Sequence, residues 1–365
     1  MPEATGAIPA TMAAVLLTGN GGFECLSYRT DVPVPVPDKG EVLIRVGAAG
    51  VNNTDINTRT AWYSKSVVEA TEAGGGDGFA EAKTEDSGWT GALPQFPRIQ
   101  GADACGHVAA VGEGVDPARI GERVLVEPVL CGASRFAATY FGSEVDGGFA
   151  EFARVPSAHA HRIETALSDV ELASFPCAYS AAENMLTRTA LVAGERVLVT
   201  GASGGVGSAA VQLAKRRGAD VTALASTGKA DGVRALGASR VEPRGCDLAA
   251  LFGQEHFDVV IDVAGGEGFP ALLQVLKRGG RYGVAGAISG PIAELDLRDL
   301  YLKDLTLYGC TILEPQVFDN LVGYIERGEI RPVVAATYPL SDIVAAQRAF
   351  LTKKHIGKIV LIPGE

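Results

Sequence analysis

Positive charge is scarce in this chain: 32 Lys and Arg stand against 43 Asp and Glu, a formal net charge of -11 over 365 residues. No long basic cluster breaks that balance, which argues against a nucleic-acid partner, because gripping a phosphate backbone takes grouped cations that release counterions. Long apolar runs are absent too, and nothing approaches the roughly 18 apolar residues of a membrane span. The opening "MPEATGAIPATM" has neither the basic nor the apolar region of a secretory leader. A soluble, cytoplasmic protein without a membrane partner is the expectation. The six cysteines (Cys25, Cys105, Cys131, Cys177, Cys246, Cys310) form no C-x-x-C pair and are expected to be mostly reduced core thiols. Histidine is sparse as well, with five residues, of which only His159 and His161 are close. That pair is expected to share one face of an extended segment rather than to bind metal.

What is present is a change of texture. The first part reads as β and loop, with "MAAVLL", "EVLIRVGAAGV" and "GERVLVEPV" as short β-rich runs cut by glycine and proline. From about Ala166, strands ("RVLVTG", "DVTALA", "FDVVIDVAG", "GGRYGVAG") alternate with helical stretches, the pattern of an α/β doubly wound parallel sheet. Beyond "LTLYGCTIL" come a helix from Pro315 to Arg327, the run "VVAATYPL", another helix and a last strand, "GKIVLIP", a tail able to return to the first part. Ser66 to Pro94 stands apart. Glu69, Glu72, Asp77, Glu81, Glu85 and Asp86 face one base, Lys83, among glycines and alanines, which predicts a mobile surface insertion or, more sharply, a lid.

The stretch "VLVTGASGGVG" admits two frames. Gly201-Ala202-Ser203-Gly204-Gly205 is G-x-S-x-G, the nucleophile turn of a hydrolase, and Asp258 or Asp262 with His355 would supply the remaining order of a triad. Shifted by one residue it is Ala202-x-Gly204-x-x-Gly207, a dinucleotide turn with its first glycine relaxed. Both frames open a helix, since Val206, Ala209, Ala210, Leu213 and Ala214 fall on one helical face. The third glycine favours the dinucleotide frame, because it lets helix and strand pack closely while Gly204 and Gly205 bare the backbone to a pyrophosphate. The β-α-β span that follows, and the separate β-rich part that precedes, point the same way. Where an NAD site would carry a carboxylate for the ribose, the chain has Ala225, Ser226, Thr227, Gly228 and Lys229. Hydroxyls and an ammonium suit a 2'-phosphate, so NADPH is the expected cofactor.

On "AAGVNNTDIN", "GADACGHVAAVGEGV", "DGGFAEF", "GASGGVGSAAVQLAKRRGA" and "KHIGKIVL" the sequence resembles the medium-chain dehydrogenase/reductase superfamily, in its zinc-free quinone oxidoreductase and enoyl reductase branch. The resemblance implies a GroES-like catalytic domain over 1–166 and 311–365, a Rossmann domain over 167–310, a cleft between them, and a homodimer in which a strand such as "LTLYGCT" pairs across subunits. Cofactor contacts are expected at Ser203, Gly204, Gly205, Val206, Gly207, Ser226, Thr227 and Lys229, and at Ala264, Gly286, Ala287 and Ile288. Zinc members of the superfamily hold their metal at places occupied here by Asn52, Ala102 and Cys177, and one thiol is too few ligands. The structural zinc lobe is missing too.

Without a Lewis acid, the resemblance implies hydride transfer to an activated C=C, with donors for the developing enolate drawn from Asn52, Thr54, Asn57 and Tyr63. Tyr63 matches in register the tyrosine of enoyl thioester reductases, and Asn57 the place where many quinone reductases have one. The substrate is expected to be a small electrophile: quinone, enone, enal or enoyl thioester. Long insertions near this point in enoyl-CoA reductases of the superfamily favour an acyl thioester, whereas the acidity of this one disfavours a polyanionic CoA ester and suits a small neutral or aromatic electrophile. The competing expectations are a zinc-type alcohol dehydrogenase and a catalytically silent NADPH-binding protein.

Overall fold

The computed structural model describes residues 7–364, except 133 and 135. Its largest parallel sheet begins with "RVLV", the strand Arg196–Val199, whose Val197, Leu198 and Val199 are fully buried. Burial on both faces is what helices on either side of a parallel sheet produce, and it explains the continuous apolar run. Asp220–Ala225, Arg240–Pro243, Phe257–Asp262, Leu276–Val284 and Thr306–Gly309 complete the sheet, and every neighbouring pair is parallel. Numbered by their order in the chain, the six strands lie 3-2-1-4-5-6, the Rossmann order. The reversal falls between Arg196–Val199 and Phe257–Asp262, so a crevice opens beyond their carboxyl ends, where the glycine turn begins. Sequence periodicity found four of these strands and marked Thr306–Gly309 only as a pairing strand. It passed over Arg240–Pro243, a short edge strand with one buried side chain, Val241.

The β-rich part is a seven-stranded sheet. Ala160–Arg162, Arg123–Val126, Cys105–Val111, Glu41–Val51, Lys358–Ile362 and Val334–Pro339 lie in that order, and Phe152–Pro156 also pairs with Glu41–Val51. The chain's last strand thus runs antiparallel to an early one, Val360 opposite Gly50. A smaller sheet sets Thr11–Leu17 between Leu26–Pro33 and Arg98–Ile99. The fold class is α/β, a doubly wound Rossmann sheet beside a β-rich unit of the GroES-like kind. No helix among the described residues is long and apolar enough to cross a membrane.

The insertion carries hydrogen bonds that its composition does not announce. Arg59, fully buried, donates to the carbonyls of Gly75 at 2.6 Å and Gly21 at 2.8 Å and to Gln347 Oε1 at 2.9 Å, so the segment is tied to the loop at Gly21 and the helix Ile343–Leu351. Farther along, Ser66 Oγ donates to the Glu81 carbonyl at 2.7 Å, and the Thr71 N–H reaches across to the Ile288 carbonyl at 3.3 Å. Glu69, Glu72, Asp77, Glu81 and Glu85 are exposed, while Gly74, Gly75 and Gly88 are buried. Composition reported only the former. The cysteines also depart from expectation: Cys105 and Cys310 are buried, Cys131 is exposed, and the other three are half-buried.

Candidate functional site

Asn53–Thr60 forms a helix at the end of the strand Glu41–Val51. Asp55 fixes its start, accepting from the N–H of Asn52 at 2.7 Å and of Gly101 at 3.2 Å. Burial pushes the Asp55 carboxyl up to about 7 in spite of those bonds. The helix hands Asn53, Thr54 and Asn57 to a cleft, and Tyr63 follows a left-handed Ala61 (φ 60°) that turns the chain back. Tyr63 Oη donates to Thr54 Oγ1 at 3.0 Å. Burial pushes its phenol up to about 12, opposed by its hydrogen bonding with Thr54 and Asn57, so at neutral pH it keeps its proton. Asn57 Oδ1 accepts from Asn53 Nδ2 and from Thr71 Oγ1, both at 3.3 Å.

The opposite wall is the glycine turn. Ser203, Gly204, Gly205, Val206, Gly207, Lys229, Gly286, Ala287 and Ile288 line the same cleft as Asn52, Thr54, Asn57 and Tyr63. Gly201 turns at φ +55°, and a Cβ on Gly207 would stand 2.2 Å from the Gly201 carbonyl oxygen, so no side chain fits where the helix Gly205–Arg216 starts. A Cβ on Gly204 would meet nothing nearer than 3.5 Å. The helix start is therefore a bared cradle, the form a pyrophosphate needs. Ser226 and Thr227 lie in an adjoining depression with Arg244, Gly245 and Ser289 rather than in the main cleft. Ala264 is a correction: it lines neither. Its N–H is spent on Asp262 Oδ1 at 2.8 Å and its carbonyl on the Ser289 N–H, and Val263 takes the lining position.

The hydrolase frame does not assemble. Asp262 accepts from Thr200 Oγ1 and Tyr282 Oη, each at 2.5 Å, Asp258 pairs with Lys277, and the Ser203 hydroxyl accepts from Lys229 Nζ at 3.4 Å. His159 and His161 converge on one carboxylate, Glu127 Oε2, at 2.9 and 3.1 Å, outside the cleft.

The residues standing where zinc ligands would be are committed elsewhere. Asn52 Oδ1 accepts from Lys358 Nζ, and its Nδ2 donates to Asp103 Oδ2 at 2.8 Å. Lys358 pairs with the same Asp103 oxygen at 2.6 Å, both groups buried. Asp103 Oδ1 takes the Cys177 N–H at 2.5 Å. Ala102 offers no donor atom. The Cys177 sulfur lies 3.0 Å from Tyr140 Oη, and burial pushes its thiol up to about 12. This donor set does not fit zinc, and an ammonium carries the positive charge in its place. No group of three or more potential ligands gathers among the described residues.

Several cleft residues escaped the sequence. Lys353, His355, Arg244, Glu72, Trp89 and Tyr140 all line it. Lys353 Nζ lies 3.4 Å from Asn53 Oδ1, and burial, with Lys229 alongside and Glu72 opposing, lowers its ammonium to about 8. Burial and the neighbouring lysines hold His355 down at about 4, a neutral imidazole. The closing stretch "KHIGKIVL" holds His355 and Lys358, and Lys353 stands just before it. Glu72, Trp89 and Tyr140 had no signal in the sequence, because only folding brings their segments to the cleft.

Two family models match, "Alcohol dehydrogenase GroES-like domain" over residues 38–165 and "Zinc-binding dehydrogenase" over 205–327. Among curated proteins, the chain is 30% identical to a quinone oxidoreductase of Sus scrofa, covering 96% of this chain and 98% of that one. It is 29% identical to an acryloyl-coenzyme A reductase of Metallosphaera sedula, covering 96% and 99%. A solved protein of Sinorhizobium meliloti 1021, provisionally called an alcohol dehydrogenase, is 47% identical with a TM-score of 0.87, over 98% of each chain. With a Rossmann turn facing a GroES-like helix across one cleft, and relatives matched from end to end, the chain belongs to the medium-chain dehydrogenase/reductase superfamily, in its quinone oxidoreductase-like branch.

Proposed function

We propose that this protein is an NADPH-dependent, zinc-independent oxidoreductase that transfers hydride to an activated C=C of an enone, enal, quinone or enoyl thioester. The observation that carries the reading is a single cleft in which the bared glycine turn faces a neutral, protonated Tyr63, while the residues at the zinc positions are engaged by Lys358 and Asp103. When bound, the nicotinamide would supply a hydride to the carbon β to the carbonyl. The chain's own residues do the rest. Ser203–Gly207 present backbone N–H groups to the pyrophosphate, and Lys229 with Lys353 adds positive charge. Arg244, beside Ser226 and Thr227, meets the 2'-phosphate. Tyr63 turns its one O–H from Thr54 Oγ1 to the substrate oxygen as enolate charge develops, with Asn57 on the helix face next to it. The α carbon then takes a proton, which balances the two-electron reduction.

In this reading the protein works in the cytoplasm as a homodimer. Thr306–Gly309 is an edge strand with one partner among the described residues, and Ile292, Leu297, Tyr301 and Leu302 are exposed just before it. An alcohol-oxidising activity is the second reading, favoured by the name of the Sinorhizobium meliloti protein. NADPH oxidation against quinones, enones, enals and enoyl-CoAs, and NADP+ reduction with alcohols, each with and without chelator and with NADH or NAD+ in parallel, decide between them. Turnover of one alkene or quinone class with NADPH supports the proposal. Chelator-sensitive turnover of alcohols alone overturns it.

A further inference from the structure

The cleft wall beyond Tyr63 is aromatic and held rigid. Trp89, from the acidic insertion, stacks on Tyr140 with ring centroids 4.7 Å apart and planes 29° from parallel. One carboxylate clamps the pair. Glu144 Oε1 accepts from the N–H and hydroxyl of Thr90 at 3.0 and 3.2 Å, while Glu144 Oε2 accepts from the Tyr140 N–H at 3.0 Å. A tight turn, with the Gly88 N–H on the Ala92 carbonyl at 2.9 Å, leaves no room for a Cβ on Gly88 and fixes where Trp89 leaves the backbone. Trp62, Pro128, Val129 and Leu313 continue the apolar lining.

Charge divides the cleft as sharply. Its cations, Lys229, Arg244, Lys353 and Lys358, belong to the dinucleotide side or the closing strand, whereas the lining residues from 62 to 140 include no Lys or Arg and one acid, Glu72. A CoA ester entering along this wall would bring several phosphate charges and find no cation to meet them.

We infer that Trp89 is a specificity-determining residue, held in place by Glu144, that selects planar, uncharged conjugated electrophiles over CoA thioesters. The inference rests on the reductase reading above and narrows its substrate class. A flat ring set against a rigid indole gains stacking beyond its buried area. A thioester tail gains nothing there. The insertion thus acts as part of the substrate wall.

The test compares 1,4-naphthoquinone, but-3-en-2-one and crotonyl-CoA as substrates, and titrates 1,4-naphthoquinone calorimetrically into the NADP+-loaded protein. For the unaltered protein, kcat/KM for naphthoquinone should exceed that for crotonyl-CoA at least tenfold. Trp89→Ala should weaken naphthoquinone binding and raise its KM about 3- to 10-fold relative to but-3-en-2-one, while the KM for NADPH holds. Trp89→Phe should recover most of the loss. Glu144→Ala should raise the same KM with kcat little changed, and Glu144→Gln, which keeps an acceptor oxygen, should restore part of it. If Trp89→Ala fails to fold, Trp89→Leu carries the same comparison. Naphthoquinone binding indifferent to Trp89, or crotonyl-CoA as the better substrate, overturns the inference and leaves the reductase reading standing. Trp89-dependent binding with no turnover of any of the three overturns the reductase reading and leaves the wall as a binding site.

Discussion

The two ends of the cleft are built in opposite ways. The phosphate end is one contiguous run, Ser203–Gly207, supplemented by cations, and its working parts are backbone N–H groups. The substrate end is gathered from Trp62 and Tyr63, Trp89, Pro128 and Val129, Tyr140, Cys177 and Leu313, and its working parts are side chains. A cradle for a phosphate needs only a turn and the absence of side chains, which a few adjacent glycines supply. A wall shaped to one substrate needs bulk from several directions, so it draws on distant segments. On the proposed reading, cofactor recognition lies in a motif and substrate recognition in tertiary contacts.

Substitutions at each end break the comparison in different ways. Gly207→Val should abolish cofactor binding, because its side chain would be driven into the Gly201 carbonyl, and equilibrium dialysis with NADPH reads the loss directly. Lys358→Met joins the two ends, since it strips the partner from a buried Asp103. It should cost about 3–5 kcal/mol in urea unfolding, and adding Asp103→Asn should recover part of that. Tyr63→Phe should lower kcat about 100-fold with KM for NADPH unchanged, the signature of a donor that acts as charge develops. At the far side of the phosphate end, Arg244→Ser should raise the KM for NADPH about tenfold and leave that for NADH alone. The smallest effect is a pH dependence. The Lys353 ammonium, lowered to about 8, loses its charge as pH rises, so kcat/KM for NADPH should fall several-fold between pH 7 and 9, and Lys353→Met should flatten that slope. A steep slope surviving in Lys353→Met would place the titration elsewhere.

How much was legible follows the same divide. "RVLVTG" through "GRYGVAG" announced a parallel sheet because strands buried on both faces are continuously apolar, and the spacing of Val206, Ala209, Ala210, Leu213 and Ala214 announced the helix. Ser203–Gly207 and Lys229 were readable as a candidate cofactor site because the features that suggest one are local, and the fold brings them into one cleft. Ala264 was misplaced by one residue, since which of two adjacent residues faces a crevice depends on how Asp262 draws in the loop N–H groups. The insertion was read from its acids, most of them exposed, and not from Arg59, whose buried guanidinium holds the Gly75 and Gly76 carbonyls. Trp89 and Glu144 are separated by 54 intervening positions or more, and no periodicity joins them.

By itself the sequence determined the fold class, the glycine turn and the lack of a zinc donor set, because each depends on neighbouring residues or on residue identity alone. Tertiary structure decided what replaces the metal and what shapes the substrate wall. The Lys358 ammonium meets Asn52 and Asp103 only because the last strand pairs with an early one. Trp89 meets Tyr140 only because buried hydrogen bonds fold an acidic segment inward. Both are contacts between chemically ordinary residues, and it is their coming together in the fold that gives them their place in the cleft.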